Sequence, residues 1–280
     1  ARKLKRGAAN LLGGRAASLR LHPISAKEAG EGFDLLSALA MGTLPRILTL
    51  RLEGQMESAR ILLRSYITTY LKEEIQAEAL VRALDAFQRF LPVAAQHNGQ
   101  VVEFMNIGKD CATSPNTVKN YFSVLEDTLI GQLIWPVARS ERKKARPKFY
   151  LFDCGVARSL QNRLMDPPTP MEMGFLFETW FLNELCCAND YRDLGYEIHF
   201  WRKDTAEIDF VLCRRGEPKL AFECKSGNVI NNDDLRPCVT FRRHFPSVPL
   251  YVISLRETEP RKSDSGIEIL PWHEGLSIIS

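Results

Sequence analysis

The chain has 280 residues, enough for two domains that each bury a core, with 45% hydrophobic residues, 25% charged residues and a net charge of +3. That balance is ordinary for a globular protein and makes no demand for a nucleic acid, so any basic surface must come from local clustering. No apolar run approaches the ~20 residues that span a bilayer and no signal peptide is visible, so the expectation is a cytoplasmic protein with no membrane partner.

The seven cysteines (111, 154, 186, 187, 213, 224 and 238) are odd in number and show no CxxC spacing. That argues against both a disulfide framework and a structural zinc. The five histidines have no ligand-like spacing either. Buried thiols in a reducing compartment are expected.

Taken in order, residues 1–32 read as short pieces. Residues 1–10 look like the end of a basic helix closed by Gly13 and Gly14. Residues 19–23 look like a brief strand, and Ser25 then caps a helix starting at Ala26. No GxxxxGK[ST] occurs, so these residues alone should not hydrolyse ATP.

Residues 33–130 carry a helical pattern. Leu63, Ile67, Leu71 and Ile75 repeat every four residues, and Leu84, Phe87 and Leu91 mark a further helix ending near Asn98-Gly99. Ser114-Pro115 is a helix start, followed by the apolar stripe Val118, Phe122, Leu125 and Leu129. Asn116, Thr117, Lys119 and Asn120 are left on the outer face near the helix N-terminus. With a short helix at 105–111 this makes a helix-turn-helix suited to a major groove, although Ala112-Thr113 stands where a turn glycine is usual.

Strands are expected at 132–136 and 149–152. Between them Arg139, Arg142, Lys143, Lys144, Arg146 and Lys148 put six basic residues in ten. Helices followed by a two-stranded wing with a basic tip make a winged helix, and Arg142, Lys143, Lys144, Arg146 and Lys148 suit phosphate contact. Such a module serves equally well for protein docking, and a charge run also fits a solvated loop. The segment 165–170, with Pro167, Pro168 and Pro170, is the clearest boundary in the chain.

Past it, a helix over 172–185 gathers Phe175, Phe177, Phe181, Leu182 and Leu185 on one arc with Glu178 in the middle. An ionised carboxylate there is costly unless paired or metal-bound. A hairpin follows, 207–213 and 220–226, turning at Gly216. Asp209 lies seven residues before that glycine and Glu223 seven after it. A symmetric hairpin sets them opposite each other, Cβ atoms about 5 Å apart, an arrangement that wants a cation. Alternation puts Lys225 on the face of Glu223. Carboxylate oxygens suit Mg²⁺ or Mn²⁺, and a lysine beside them can hold the attacking water. A helix around 233–244 and strands at 251–254 and 267–271 complete this part.

Glu178, Asp209, Glu223 and Lys225 in this order resemble the PD-(D/E)XK restriction-endonuclease-like superfamily. More closely, Gly174-Phe-Leu-Phe-Glu178, His199-Phe-Trp-Arg202, Glu207-Ile-Asp-Phe210 and Glu223-Cys-Lys-Ser226 resemble the C-terminal domain of bacterial and archaeal AAA+-type ATPases, a nuclease-like domain of unknown function. Segments 116–126 and 147–153 resemble the middle domain of the same group, and segments 1–16 and 21–25 the stretch that follows its ATPase core. The resemblance implies an α+β, multidomain chain: the tail of an AAA+ core at 1–32, a helical lid and winged helix at 33–164, and a restriction-endonuclease-like α/β domain at 171–280. It implies Asp209, Glu223 and Glu178 as ligands of Mg²⁺ or Mn²⁺ and Lys225 as the partner of the nucleophilic water. It implies ATP only through an upstream domain, DNA as the partner, and an oligomer as one possible state. Two other classes stay open: a non-catalytic DNA- or protein-binding regulator of an ATPase, and an interaction scaffold without nucleic acid.

Overall fold

The computed structural model describes residues 19–67, 84–137 and 145–279. The expectations for residues 1–18 and for Leu71, Ile75, Arg139, Arg142, Lys143 and Lys144 lie outside them. The chain divides into two units, residues 1–133 with 149–167, and residues 134–148 with 168–280. The path crosses from one to the other near the end of one strand and returns near the start of the next.

In the first unit the helix start at Ser25 is present. Ser25 Oγ accepts the Glu28 amide and Glu28 Oε2 accepts the Ser25 amide, a reciprocal cap for α1 (Ala26–Ala29). The strand expected at 19–23 is not there; Leu19 and Leu21 point into solvent. Helices α2 (Leu35–Met41), α3 (Pro45–Leu52), α4 (Met56–Ser65) and α5 (Leu84–Gln96) bury Leu39, Ile47, Leu63, Phe87 and Leu91.

Next come β1 (Gln100–Val101), α6 (Phe104–Asp110), α7 (Pro115–Asp127), β2 (Gly131–Ile134) and β3 (Lys148–Leu151), the strands ordered β1-β3-β2. Ser114 caps α7 by accepting the Thr117 amide at 3.1 Å. Phe122 on α7 makes edge contacts with Phe90 and Phe149, with ring centroids 4.9 and 4.8 Å away. Leu129 does not extend the α7 stripe. The helix ends at Asp127, and Leu129 takes φ 62° in the turn into β2.

Helix α8 (Cys154–Leu160) has too short an apolar repeat to stand out in sequence. It is held by its cap: buried Asp153 accepts the Thr43 amide at 2.8 Å and the Val156 amide at 3.0 Å. A Cβ on Gly42 would lie 2.0 Å from that carboxylate, so only glycine admits the approach. Burial pushes the Asp153 carboxyl up to about 6 against the pull of these amides.

The second unit is a six-stranded mixed sheet with helices on it. Its strands are β4 (Glu197–Lys203), β5 (Ala206–Arg214), β6 (Glu217–Lys225), β7 (Leu250–Ser254), β8 (Arg261–Lys262) and β9 (Glu268–Pro271), ordered β4-β5-β6-β7-β9-β8. β4, β5 and β6 are antiparallel neighbours, while β6–β7 and β7–β9 are parallel. Helix α9 (Pro170–Tyr191) opens on a Thr169–Glu172 capping box with Pro170 in its first turn. Phe181 on α9 meets Phe222 edge-on at 5.3 Å. Helix α10 (Arg236–His244) joins β6 to β7 and shares a buried cluster with Trp201, Val211, Ala221 and Val252. Helix α11 (Trp272–Ser277) brings Trp272 to 5.5 Å from Trp180.

The single apolar arc expected on α9 is too narrow. Glu172, Thr179 and Glu184, which fall off that arc, are buried too, so polar groups of this helix are enclosed on several sides. Residues 135–137 run beside β4: Val137 N–H donates to Phe200 O at 2.8 Å and Phe200 N–H to Trp135 O at 3.2 Å. That backbone pairing on the exposed edge of β4 is why 134–148 belongs to this unit.

Candidate functional site

The hairpin β5–β6 turns at Arg215 and Gly216, with φ of 53° and 76°. Two left-handed residues in a row twist the turn the way the strands twist. The turn pairs Arg214 with Glu217, and a bulge between Leu212 and Cys213 then shifts the register by one, so Phe210 pairs with Phe222 and Asp209 comes beside Glu223. Each is tied to the other's strand: Asp209 N–H donates to Glu223 Oε2 at 3.3 Å, and Cys224 N–H donates to Asp209 Oδ2 at 3.0 Å. Both carboxylates are buried, at 6% and 5% exposure.

Lys225, two residues along β6, places its ammonium 2.7 Å from Glu223 Oε1. Burial and the neighbouring Asp209 carboxylate push Glu223 up to about 8, against the pull of Lys225 and Lys148. For Lys225 burial opposes the charge, but Glu223 outweighs it and the ammonium is held above its ordinary range. Cys224 and Cys238 are raised well above the ordinary thiol range, by burial first and nearby carboxylates second. Protonated and enclosed, they are poor nucleophiles and poor metal ligands.

Glu178 on α9 does not join this pair directly. It is reached through Lys148, whose ammonium lies 3.5 Å from Glu178 Oε2, 3.1 Å from Asp209 Oδ1 and 2.6 Å from Glu207 Oε1. The same ammonium stands 5.9 Å from the Phe200 ring centroid. Lys148 was expected at the basic wing tip, ready for phosphate. It is instead 4% exposed and faces carboxylates, because residues 134–148 belong to this unit. Arg146 is exposed as expected. In the first unit Asn116, Lys119 and Asn120 are exposed and Thr117 half-buried on the first turns of α7.

Sequence reasoning missed two members of the cluster. Glu207 shares a strand face with Asp209 by simple alternation, a readable signal. It is held on its other side by Arg202, whose Nε donates at 2.6 Å. Lys148 had no local signal, since Asp209 is 61 residues away.

The donors suit a hard divalent ion: every candidate ligand atom is a carboxylate oxygen. Their present grouping is closed, however. Asp209 offers Oδ1 to Lys148 and Oδ2 to a backbone amide, and Glu223 offers Oε1 to Lys225. Among the described residues no three of Asp, Glu, His and Cys form a ready metal cage.

Residues 32–166 match the model of a domain of unknown function, DUF8612, and residues 173–274 match that of another, DUF4143. No curated protein and no solved structure matches the chain. Lys148 therefore lies in the first matched stretch, while the carboxylates it faces lie in the second. DUF4143 is a domain often found at the C-terminus of AAA-type ATPase proteins.

Proposed function

We propose that residues 134–148 and 168–280 form a nuclease-like unit that hydrolyses nucleic-acid phosphodiesters with a divalent metal, within the C-terminal region of an AAA-type ATPase. The observation that carries the reading is the juxtaposition of Asp209, Glu223 and Lys225 on one buried hairpin face, with Glu178 brought to Asp209 through one shared ammonium. The order α9, three antiparallel strands, α10 and a parallel strand accords with a restriction-endonuclease-like core. Asp209, Glu223 and Glu178 would hold the ion. A bound Mg²⁺ or Mn²⁺ polarises a phosphoryl oxygen and lowers the pKa of a bound water. Lys225 orients that water and stabilises negative charge as it builds on the phosphate.

The first unit supports DNA contact in the same reading. The order α5-β1-α6-α7-β2-β3, with strands arranged β1-β3-β2, accords with a winged helix. α7 would then be the recognition helix, presenting Asn116, Thr117, Lys119 and Asn120.

A second reading, a regulator without catalysis, is favoured by the two lysines that already neutralise the carboxylates. Mn²⁺-dependent nicking of plasmid or single-stranded DNA, measured for the wild type and Asp209→Asn, tests both. Nicking lost in the variant supports the nuclease. DNA binding with salt dependence but no nicking at any metal concentration turns the choice to the regulator.

A further inference from the structure

We infer that Lys148 is an internal counter-ion that competes with a divalent cation for Asp209 and thereby keeps the carboxylate cluster closed; this rests on the metal-dependent reading above. Three observations carry it. The Lys148 ammonium contacts three carboxylates, Glu207 at 2.6 Å, Asp209 at 3.1 Å and Glu178 at 3.5 Å. Asp209 Oδ2 accepts the Cys224 amide at 3.0 Å, and Lys148 sits on the other oxygen, Oδ1, so an entering cation meets the ammonium on the same carboxylate. The Lys148 side chain is 5% exposed, so it does not exchange partners with solvent as a surface lysine does.

An ammonium and a divalent ion on the same carboxylate oxygen repel each other, and in a buried setting that repulsion is weakly screened. The tethered cation also has an effective concentration of order mM, which a weak metal site does not outcompete. Hydrogen bonding to Glu207 anchors the lysine from a residue outside the proposed ligand set, and Arg202 fixes Glu207 in turn. Lys148 lies at the end of residues 134–148, the segment that joins this unit ahead of 168–280.

The test is Mn²⁺ binding to the full chain without nucleic acid, by calorimetry and by the EPR signal of free Mn²⁺. Wild type, Lys148→Gln, Glu207→Gln and the double variant Lys148→Gln/Asp209→Asn are compared. Lys148→Gln is expected to tighten Mn²⁺ binding at least tenfold, Glu207→Gln about threefold, and the double variant to lose it. Equal affinity in wild type and both single variants overturns the competition while leaving the metal site standing. No binding by any of the proteins overturns both the competition and the metal-dependent reading. If Lys148→Gln fails to fold by circular dichroism, Glu207→Gln decides: unchanged affinity there overturns the inference.

Discussion

Asp209 and Glu223 are bound crosswise, each carboxylate accepting a backbone amide from the other's strand: Cys224 N–H reaches Asp209 Oδ2 at 3.0 Å, and Asp209 N–H reaches Glu223 Oε2 at 3.3 Å. The pair is therefore structural as well as chemical, and substitutions separate the two roles. Asp209→Ala leaves the buried Cys224 amide without its acceptor and is expected to cost about 1–3 kcal/mol. Asp209→Asn keeps an acceptor at that place and is expected to cost less than about 1 kcal/mol, while Mn²⁺ binding and cleavage are lost. Guanidinium unfolding of both variants beside the nicking assay checks this; equal destabilisation by Ala and Asn would refute the structural half.

Lys225 contributes through Glu223. Lys225→Met retains the aliphatic stem but removes the ammonium 2.7 Å from Glu223 Oε1. The expected result is a loss of about 1–2 kcal/mol from one charge-assisted hydrogen bond, together with abolished cleavage at unchanged DNA affinity. Persisting cleavage in a folded Lys225→Met protein would remove this lysine from the reaction.

Asp153 gives the first unit a pH dependence of defined sign. Burial, outweighing the amides it caps, pushes its carboxyl up to about 6 in the fold, against 3.8 for an ordinary aspartate. The native state thus binds the proton more tightly than the unfolded chain, and stability falls as pH rises between these values. From pH 4 to pH 7 the loss from this one group is about 2 kcal/mol. Asp153→Asn cannot ionise, so the stability difference between wild type and variant should move toward the variant by that amount across the window. A pH-independent difference in chemical denaturation would contradict it.

Ala112, in the turn between α6 and α7, takes φ 50°, a conformation that penalises a Cβ. Ala112→Gly is expected to stabilise the protein by about 0.5–1 kcal/mol, the relief of the strained φ exceeding the added unfolded-state entropy. A lowered melting temperature would show that the methyl packs usefully.

The exposed Lys119 tests the DNA reading. Lys119→Ala should weaken DNA binding similarly for all sequences and lower the slope of log K against log salt by about 1 if it contacts a phosphate. Asn120→Ala, on the outer face of the same helix, should instead change sequence preference if it reaches a base edge. Unaltered affinity and slope in both would direct attention to protein partners.

Much of the site was legible because its rules are local. The alternation of β5 and β6 depends only on strand period and could be read from residue spacing, whereas the neighbouring of Asp209 and Glu223 also needs the one-residue register shift between Leu212 and Cys213, which spacing does not show. Ser25, Ser114 and Pro170 likewise announced helix starts through short-range capping chemistry. Leu129 and the segment 19–23 misled because an apolar spacing does not say where a helix frays or whether a sheet is present to receive a strand.

What the sequence determined by itself was thus the hairpin and the strand alternation that puts three charged residues on one face, both set by local rules. What only the tertiary structure decided was the cation among the carboxylates. The spacing of Asp209 and Glu223 called for a positive charge, and a metal ion was the one that residue types suggested. The fold answers the call with Lys148, brought from 61 residues upstream of Asp209 by a backbone segment paired to the edge of β4. Electrostatics states that a charge must be balanced; which group balances it is a matter of which distant chain segment the packing delivers.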